Sequence, residues 1–298
     1  MQNFITRPPA RLLKLGCICL LAIVLAACSL ARFGYSYGDT VTYWWLNGYV
    51  GFDASQKPWA KQRIDALFAW HRRTQLKHYV TLLAGAQRRL QHDVTKQQML
   101  DDYDEFIKCG DRIVDEIAPD LADLALSMEA GNLEHLRHKF ETNNEKYRKD
   151  HLRGDLQDKQ KSRYKDVMEW AEYWFGNFSD EQEAVIRRAS DQRPLSNEMW
   201  AADRIVRQQS LIALVQRIQQ ERLPHAVAAE TIKSYIRDNY MLHAGAAPEM
   251  KAFYEASKDG AAQLVVTIVN ITTPKQKAHA IARLQHWIDD FNVLADKA

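Results

Sequence analysis

From Asp53 onward, apolar and polar residues alternate with a helical period. Ile64, Leu67, Phe68, His71, Gln75, Tyr79, Leu82, Leu83, Ala86 and Leu90 follow one another mostly at steps of three and four, with charged residues between them. That stripe predicts one long amphipathic helix from about Pro58 to Gln91. The same reading places helices at about Thr95 to Ile117, Pro119 to Leu126, Leu133 to Leu152, Leu156 to Phe175 and Ser179 to Ala189. Further helices are read at about Asn197 to Arg222, His225 to Leu242, Pro248 to Asn270 and Pro274 to Ala295. The run from Leu264 to Val269 is rich in β-branched residues but has no second strand-like segment to pair with, so it reads as the buried end of a helix. The predicted fold is all-α, a bundle of about ten amphipathic helices.

Helix starts carry a recurring signature. Asp53 with Gln56, Thr95 with Gln98, Ser179 with Gln182 and Thr273 with Gln276 each set an N-cap residue three positions ahead of a Gln. This is the pattern of a capping box: the cap oxygen takes the amide at N3, and the N3 side chain reaches back to the cap amide. Ser127 with Ala130 is a degenerate copy. The copies are unevenly spaced, which excludes a solenoid of fixed period. The pattern of an apolar residue, Thr, two residues and Gln also resembles helix starts of small periplasmic chaperones, but capping accounts for it without a shared function.

Ahead of this body stands the one long apolar run. Arg7, Arg11 and Lys14 precede Leu15 to Ala27, an apolar stretch too short to span a bilayer comfortably, and Leu25, Ala26, Ala27 and Cys28 end it. Residues 1–27 read as a lipoprotein signal peptide. Cys28 is expected to carry a diacylglycerol and an N-linked acyl chain such as palmitate. Ser29, not Asp, follows it, which points to the periplasmic face of the outer membrane. Residues 28–51 form a lipidated N-terminus and aromatic segment, with Tyr35, Tyr37, Tyr43, Trp44, Trp45 and Tyr49 close together, and 52–298 form the helical domain. Core packing is the favoured place for these aromatics, with the lipid headgroup layer as the second.

Charge and cysteine use narrow the function. The 40 Lys and Arg against 38 Asp and Glu become nearly balanced once the three basic residues of the leader are removed, so nucleic acid is not an expected partner. After cleavage and lipidation only Cys109 retains a thiol. It cannot form an intramolecular disulfide and is expected to be buried. An acidic stretch, Asp101 to Asp123, precedes a basic one, Arg137 to Lys165. The two can pair across helices, or the basic one can face anionic lipid or peptidoglycan.

Candidate chemistry is sparse. His71 and His78 share a helix face two turns apart, and His135 and His138 stand three apart near Glu134 and Glu141, but no motif adds further ligands. No Gly-x-Ser-x-Gly elbow or phosphate-cradling loop is present. Metal ligands, catalytic residues and cofactors beyond the covalent lipid are therefore not expected.

The lipobox, Tyr43 to Tyr49, Trp70 to Leu76 and Asn143 to Arg148 together resemble a family of uncharacterised all-helical lipoproteins of Gram-negative bacteria. Where that family often shows Leu-Thr-Pro-x-Gln at helix starts, this chain has Val94-Thr95-Lys96-Gln97-Gln98 and Thr272-Thr273-Pro274-Lys275-Gln276. The resemblance implies an envelope lipoprotein and no catalytic residues. The expected role is a non-catalytic binding or scaffolding protein, tethered to the membrane and meeting an envelope protein or peptidoglycan. Its candidate patch is Trp70, His71, Arg72, Arg73, Gln75, Asn143, Asn144, Lys146 and Arg148. Two alternatives are an envelope enzyme using His71, His135 or His138, and a holdase chaperone with a concave apolar surface.

Overall fold

The computed structural model describes residues 34–297. The proposed leader and Cys28 lie outside them. Eleven α-helices make up the described chain: α1 (Gly38–Val50), α2 (Gln56–Thr74), α3 (Leu76–Arg89), α4 (Lys96–Ser127), α5 (Ala130–His151), α6 (Leu156–Phe175), α7 (Asp180–Asp191), α8 (Asn197–Gln220), α9 (His225–Ile236), α10 (Pro248–Ile271) and α11 (Pro274–Ala295). A π-helical turn, Arg237–Met241, extends α9. No strand occurs among the described residues, and Leu264, Ile268 and Val269 are buried on α10.

Three elements depart from the sequence reading, each for a physical reason. The helix read from Pro58 to Gln91 is kinked at one residue, Gln75, into α2 and α3. The bonds from Gln75 N to His71 O and from Tyr79 N to Gln75 O bridge the kink. Gln75 is buried there, and its Oε1 accepts from Arg112 Nε at 3.0 Å. Conversely, the two helices read on either side of Pro119 are one. Val114, Ala118, Ala122 and Ala125 are all buried on α4, so a continuous stripe packed along α9 outweighs the lost amide of Pro119. Finally, the aromatic segment is itself a helix, α1. Tyr43 and Val50 are buried on one side of it, while Val41, Trp44 and Trp45 are exposed on the other.

The helices enclose two cores. One gathers Tyr43 and Val50 of α1, Ala60 and Ile64 of α2, the C-terminal half of α4, and residues of α5, α8 and α9. The other gathers Leu90 and Val94 with residues of α6, α7, α10 and α11. In each core two helical hairpins are cross-braced by their capping residues. Gln56, the first residue of α2, donates to Ser127 O at the end of α4, and Asn132, at N3 of α5, donates to Val50 O and Gly51 O at the end of α1. In the second core, Gln182 at N3 of α7 donates to Ile271 O, and Gln276 at N3 of α11 donates to Asn177 O. The two Gln amides also bond each other, at 2.9 and 3.1 Å.

All four predicted pairs have the reciprocal bonds: Thr95, Ser179 and Thr273 cap α4, α7 and α11, whereas Asp53 with Gln56 closes the turn just ahead of α2, whose N-cap position is Ser55. The degenerate copy does not: α5 is capped by Glu129 with Asn132, and Ser127 Oγ donates instead to Leu124 O. Asp155 with Asp158 supplies a further box at α6.

The acidic stretch is on α4, and its partners come from α2, α3 and the α9 region, not from the basic stretch. Arg63 meets Asp120, Arg89 meets Asp102, and Arg237 joins Asp111 and Asp115. Cys109 is buried, as the sequence implies, with Arg112 Nη2 3.2 Å from its Sγ, and burial pushes its thiol pKa up.

Candidate functional site

Helices α5 and α8 run antiparallel: Asn144 Nδ2 donates to Gln208 Oε1 at 2.6 Å, and Asn197 Nδ2 donates to His151 O at 2.7 Å. Between them and the neighbouring helices lies a cavity of about 1060 Å³. The face that each helix turns to it changes character in the same direction. On α5 it passes from Leu136 and Phe140 to Tyr147 and His151; on α8, read backwards, it passes from Val215, Leu214 and Leu211 to Gln208, Arg204 and Trp200. At 1.5 Å per residue, Leu136 to His151 spans about 22 Å. The cavity is therefore elongated, with an apolar end and a polar end.

The apolar end is an extension of the first core. Leu121, Leu124 and Met128 of α4, Leu46 and Tyr49 of α1 and Ile236 of α9 close it. Leu46, Tyr49, Leu121, Leu211 and Ile236 are only partly buried although they pack on that core.

The polar end is cationic. Arg153, Lys159, Arg163, Arg193, Arg204 and Arg207 line the cavity against three carboxylates, Asp150, Asp158 and Asp166. Some of this charge is committed. Lys159 pairs with Glu198, Arg207 pairs with Asp203 while lying over the Tyr240 ring, and Arg204 donates from Nε to Asn144 Oδ1. Arg163 closes the C-terminal end of α7 by donating to Ser190 O, Arg193 O and Pro194 O. Arg193 and Arg153 make no ion pair among the described residues. Burial pushes the pKa of Arg163 and of Arg193 down, and the like charge of Arg193 adds to the effect at Arg163.

A further polar cluster flanks this end. Tyr254 Oη donates to Asp203 Oδ2 at 2.7 Å, and the His243 ring stacks on Tyr254 with centroids 3.4 Å apart. Tyr235 Oη donates to Arg207 O, and burial pushes the pKa values of Tyr235 and Tyr254 up. These hydroxyls stay protonated and donate, Tyr254 to Asp203 and Tyr235 to the Arg207 carbonyl.

A family model, described as a family of unknown function (DUF6279), matches residues 48–228. The chain belongs to this DUF6279 family. The matched part runs from the end of α1 to the start of α9 and so carries most of the cavity wall, whereas α10 and α11 lie beyond it. No curated protein and no solved structure matches the chain.

The patch read from the sequence is divided by the fold of this DUF6279 member. Trp70, His71, Arg72, Arg73 and Gln75 sit at the α2–α3 kink. There His71 lies between Tyr35 Oη, 2.7 Å from Nδ1, and Tyr79 Oη, 3.1 Å from Nε2, and Gln75 is taken up by Arg112. Asn143 and Asn144 face α1 and α8, bonded to Tyr49 Oη and to Gln208 with Arg204. Lys146 and Arg148 are exposed and make no ion pair among the described residues. The first group's partners are Tyr35, just ahead of α1, and residues of α3 and α4, and the second group's are on α1 and α8. The histidines also stay apart: His135 and His138 are exposed on α5, with His135 Nε2 beside Gly48 O, far along the chain from the half-buried His71. Among the described residues no three His, Cys, Asp or Glu side chains converge as a metal site.

The sequence reading passed over Trp200, Arg204, Arg207 and Arg193. A signal for Trp200 and Arg204 was present. Asn197, Trp200, Arg204, Gln208, Leu211 and Val215 recur at three and four along one face, and the stripe turns from polar to apolar halfway.

Proposed function

We propose that this protein is a lipid-anchored binding protein of the cell envelope that holds a small amphipathic ligand in the cavity between α5 and α8. The observation that carries this reading is the cavity itself: about 1060 Å³, lined mainly by apolar side chains at one end and by a few convergent polar groups at the other. That is the form of a ligand site, not of a packed interior, where voids of more than a water molecule are few. Anchoring comes from Cys28 by its lipobox, with the periplasmic face of the outer membrane as the address. The exposed face of α1 fits a place beside the bilayer.

No catalytic constellation supports the enzyme alternative. His71 is fixed between two tyrosine hydroxyls, and His135 and His138 stand exposed on a different helix. The reading is tested by filling the apolar end. Native mass spectrometry of the purified lipidated protein is expected to show a non-covalent small-molecule adduct that Leu214→Trp removes while leaving the thermal midpoint within a few degrees. An adduct unchanged by Leu214→Trp, or no adduct in either protein, overturns it.

A further inference from the structure

The polar end of the cavity and the last turn of α7 beside it hold several buried polar groups without protein partners. Arg163 Nε, Arg193 Nε, Ser190 Oγ, Asp191 Oδ1 and Ser257 Oγ are all buried and accept or donate no hydrogen bond among the described residues. They come from α6, the last turn of α7, the α7–α8 connection and α10; Arg163, Arg193 and Ser257 line the cavity, and Ser190 and Asp191 lie in the last turn of α7, which Arg163 closes. Buried polar atoms without partners are rare and costly, so three on the cavity wall, with two more in the adjoining turn of α7, mark a position where a polar group from outside the chain belongs. The sign of that group follows from the charges. Arg193 has no carboxylate partner, and Asp191, the acidic member, already engages Arg187 through Oδ2. Lys146, Arg148 and Lys149 near the end of α5 and Arg153 just beyond it add four cations without ion pairs among the described residues.

Resting on the reading of the cavity as a ligand site, we propose that its occupant is a single-chain anionic amphiphile, with a carboxylate or phosphate head at Arg193 and Arg163 and an acyl tail along Leu211, Leu214, Phe140 and Leu121. Head and tail requirements are each met by the gradient along α5 and α8. The cationic end supplies charge-assisted hydrogen bonds in the fork geometry that suits carboxylate and phosphate oxygens. The apolar end removes methylenes from water. The distance of about 22 Å from Leu136 to His151 exceeds the roughly 15 Å of one leaflet of a hydrocarbon core about 30 Å thick. One extended acyl chain with its head group fits within it. Trp45 and Leu46 of α1 belong to the same wall, so the cavity adjoins the helix nearest to Cys28 in the chain, and a ligand drawn from a bilayer has a short path to it.

The test uses membranes containing the full chain and three photoactivatable diazirine probes of equal tail length: a fatty acid, a lysophosphatidate and the neutral fatty alcohol. Cross-linked peptides are mapped by mass spectrometry. The two anionic probes are expected to label peptides of α4, α5 and α8 about tenfold more than the alcohol, the scale of one charge-assisted hydrogen bond. Arg193→Gln lowers both anions to the level of the alcohol without changing the alcohol itself, and Leu214→Trp lowers all three. Arg153→Gln, at an exposed residue outside any ion pair, provides a second variant whose smaller loss has the same sign. Preference for the fatty acid or for the lysophosphatidate assigns the head as carboxylate or phosphate, and either outcome supports the proposal. Equal labelling by acid and alcohol, unchanged in Arg193→Gln, overturns the anionic head while leaving the cavity as a tail site. Labelling that spares α4, α5 and α8 with every probe overturns the cavity reading as well.

Discussion

At the scale of single residues, His71 shows how a side chain singled out for chemistry is used for structure. Its two ring nitrogens face Tyr35 Oη and Tyr79 Oη, and burial holds its pKa below the ordinary 6.5. His243 is shifted in the same direction, first by burial and then by the positive charge of Arg207. A depressed folded-state pKa costs nothing while both states are neutral, above about 6.5. As pH falls through that value the unfolded chain takes up the proton first, so stability is lost progressively toward the lower folded-state pKa. The thermal midpoint is therefore expected to fall between about pH 7 and pH 5.5, a window in which most carboxylates stay ionised. His71→Gln, which keeps a polar group between the two hydroxyls, is expected to flatten part of that dependence. A midpoint equally pH-sensitive in wild type and His71→Gln contradicts the assignment. Sequence showed His71 as part of a dense polar segment but not its partners, because Tyr35 and Tyr79 reach it from either side of α2, 36 and 8 residues away.

At the scale of elements, what was legible and what was not separates along local and tertiary lines. Helix α6 and helix α11 begin and end where their stripes place them, and the start of α11 also carries Thr273 with N3 Gln276, a local signal. Pro119 misled for the opposite reason: the proline penalty is local, whereas Ala118, Ala122 and Ala125 packing on α9 is not. Helix α1 was hidden because both of its faces are apolar, which erases the contrast that periodicity needs. The second role of the capping residues could not be read at all. In both cores an N3 amide leaves its own helix start and bonds the last carbonyls of another hairpin. Gln182 and Gln276 in addition bond each other. Ala at either position is expected to cost about 1–3 kcal/mol, through the lost cap reach-back and the unpaired carbonyl at Ile271 or Asn177. The double variant is expected to cost less than the sum by roughly 1 kcal/mol, since each single change already breaks the shared pair. Urea denaturation of the four proteins measures this directly; strict additivity would show that the two braces act independently.

At the scale of the whole molecule, the two cores share their helices across the halves of the chain, since α8 and α9 complete the first core and α3 and the start of α4 reach the second. Hairpins α1–α2 and α4–α5 thereby fix one end of the cavity, and the α7–α8 connection with α10 fixes the other. What remains exposed on this body includes α1, thirteen residues with Asp39 as the single charge. Its Trp44 and Trp45 are 66% and 60% exposed, and Val41 and Tyr37 beside them are similarly open. The sequence reading favoured these rings for the core, but only Tyr43, with partial help from Leu46 and Tyr49, goes there. Exposed tryptophans of this kind are favoured in the headgroup layer of a membrane. The distance also fits: Gly38 stands ten positions after Cys28, and an extended chain covers at most about 35 Å in that length. If Cys28 carries the lipid, α1 is held within that distance of the bilayer. In vesicles containing brominated lipid, the lipidated protein is therefore expected to lose tryptophan emission by quenching, and the loss is expected to be mostly absent in the Trp44→Phe/Trp45→Phe variant, which retains the other six tryptophans. Cys28→Ala is expected to abolish incorporation of labelled palmitate. Quenching of the same size in the wild type and in the Trp44→Phe/Trp45→Phe variant would place some other face of the molecule against the lipid.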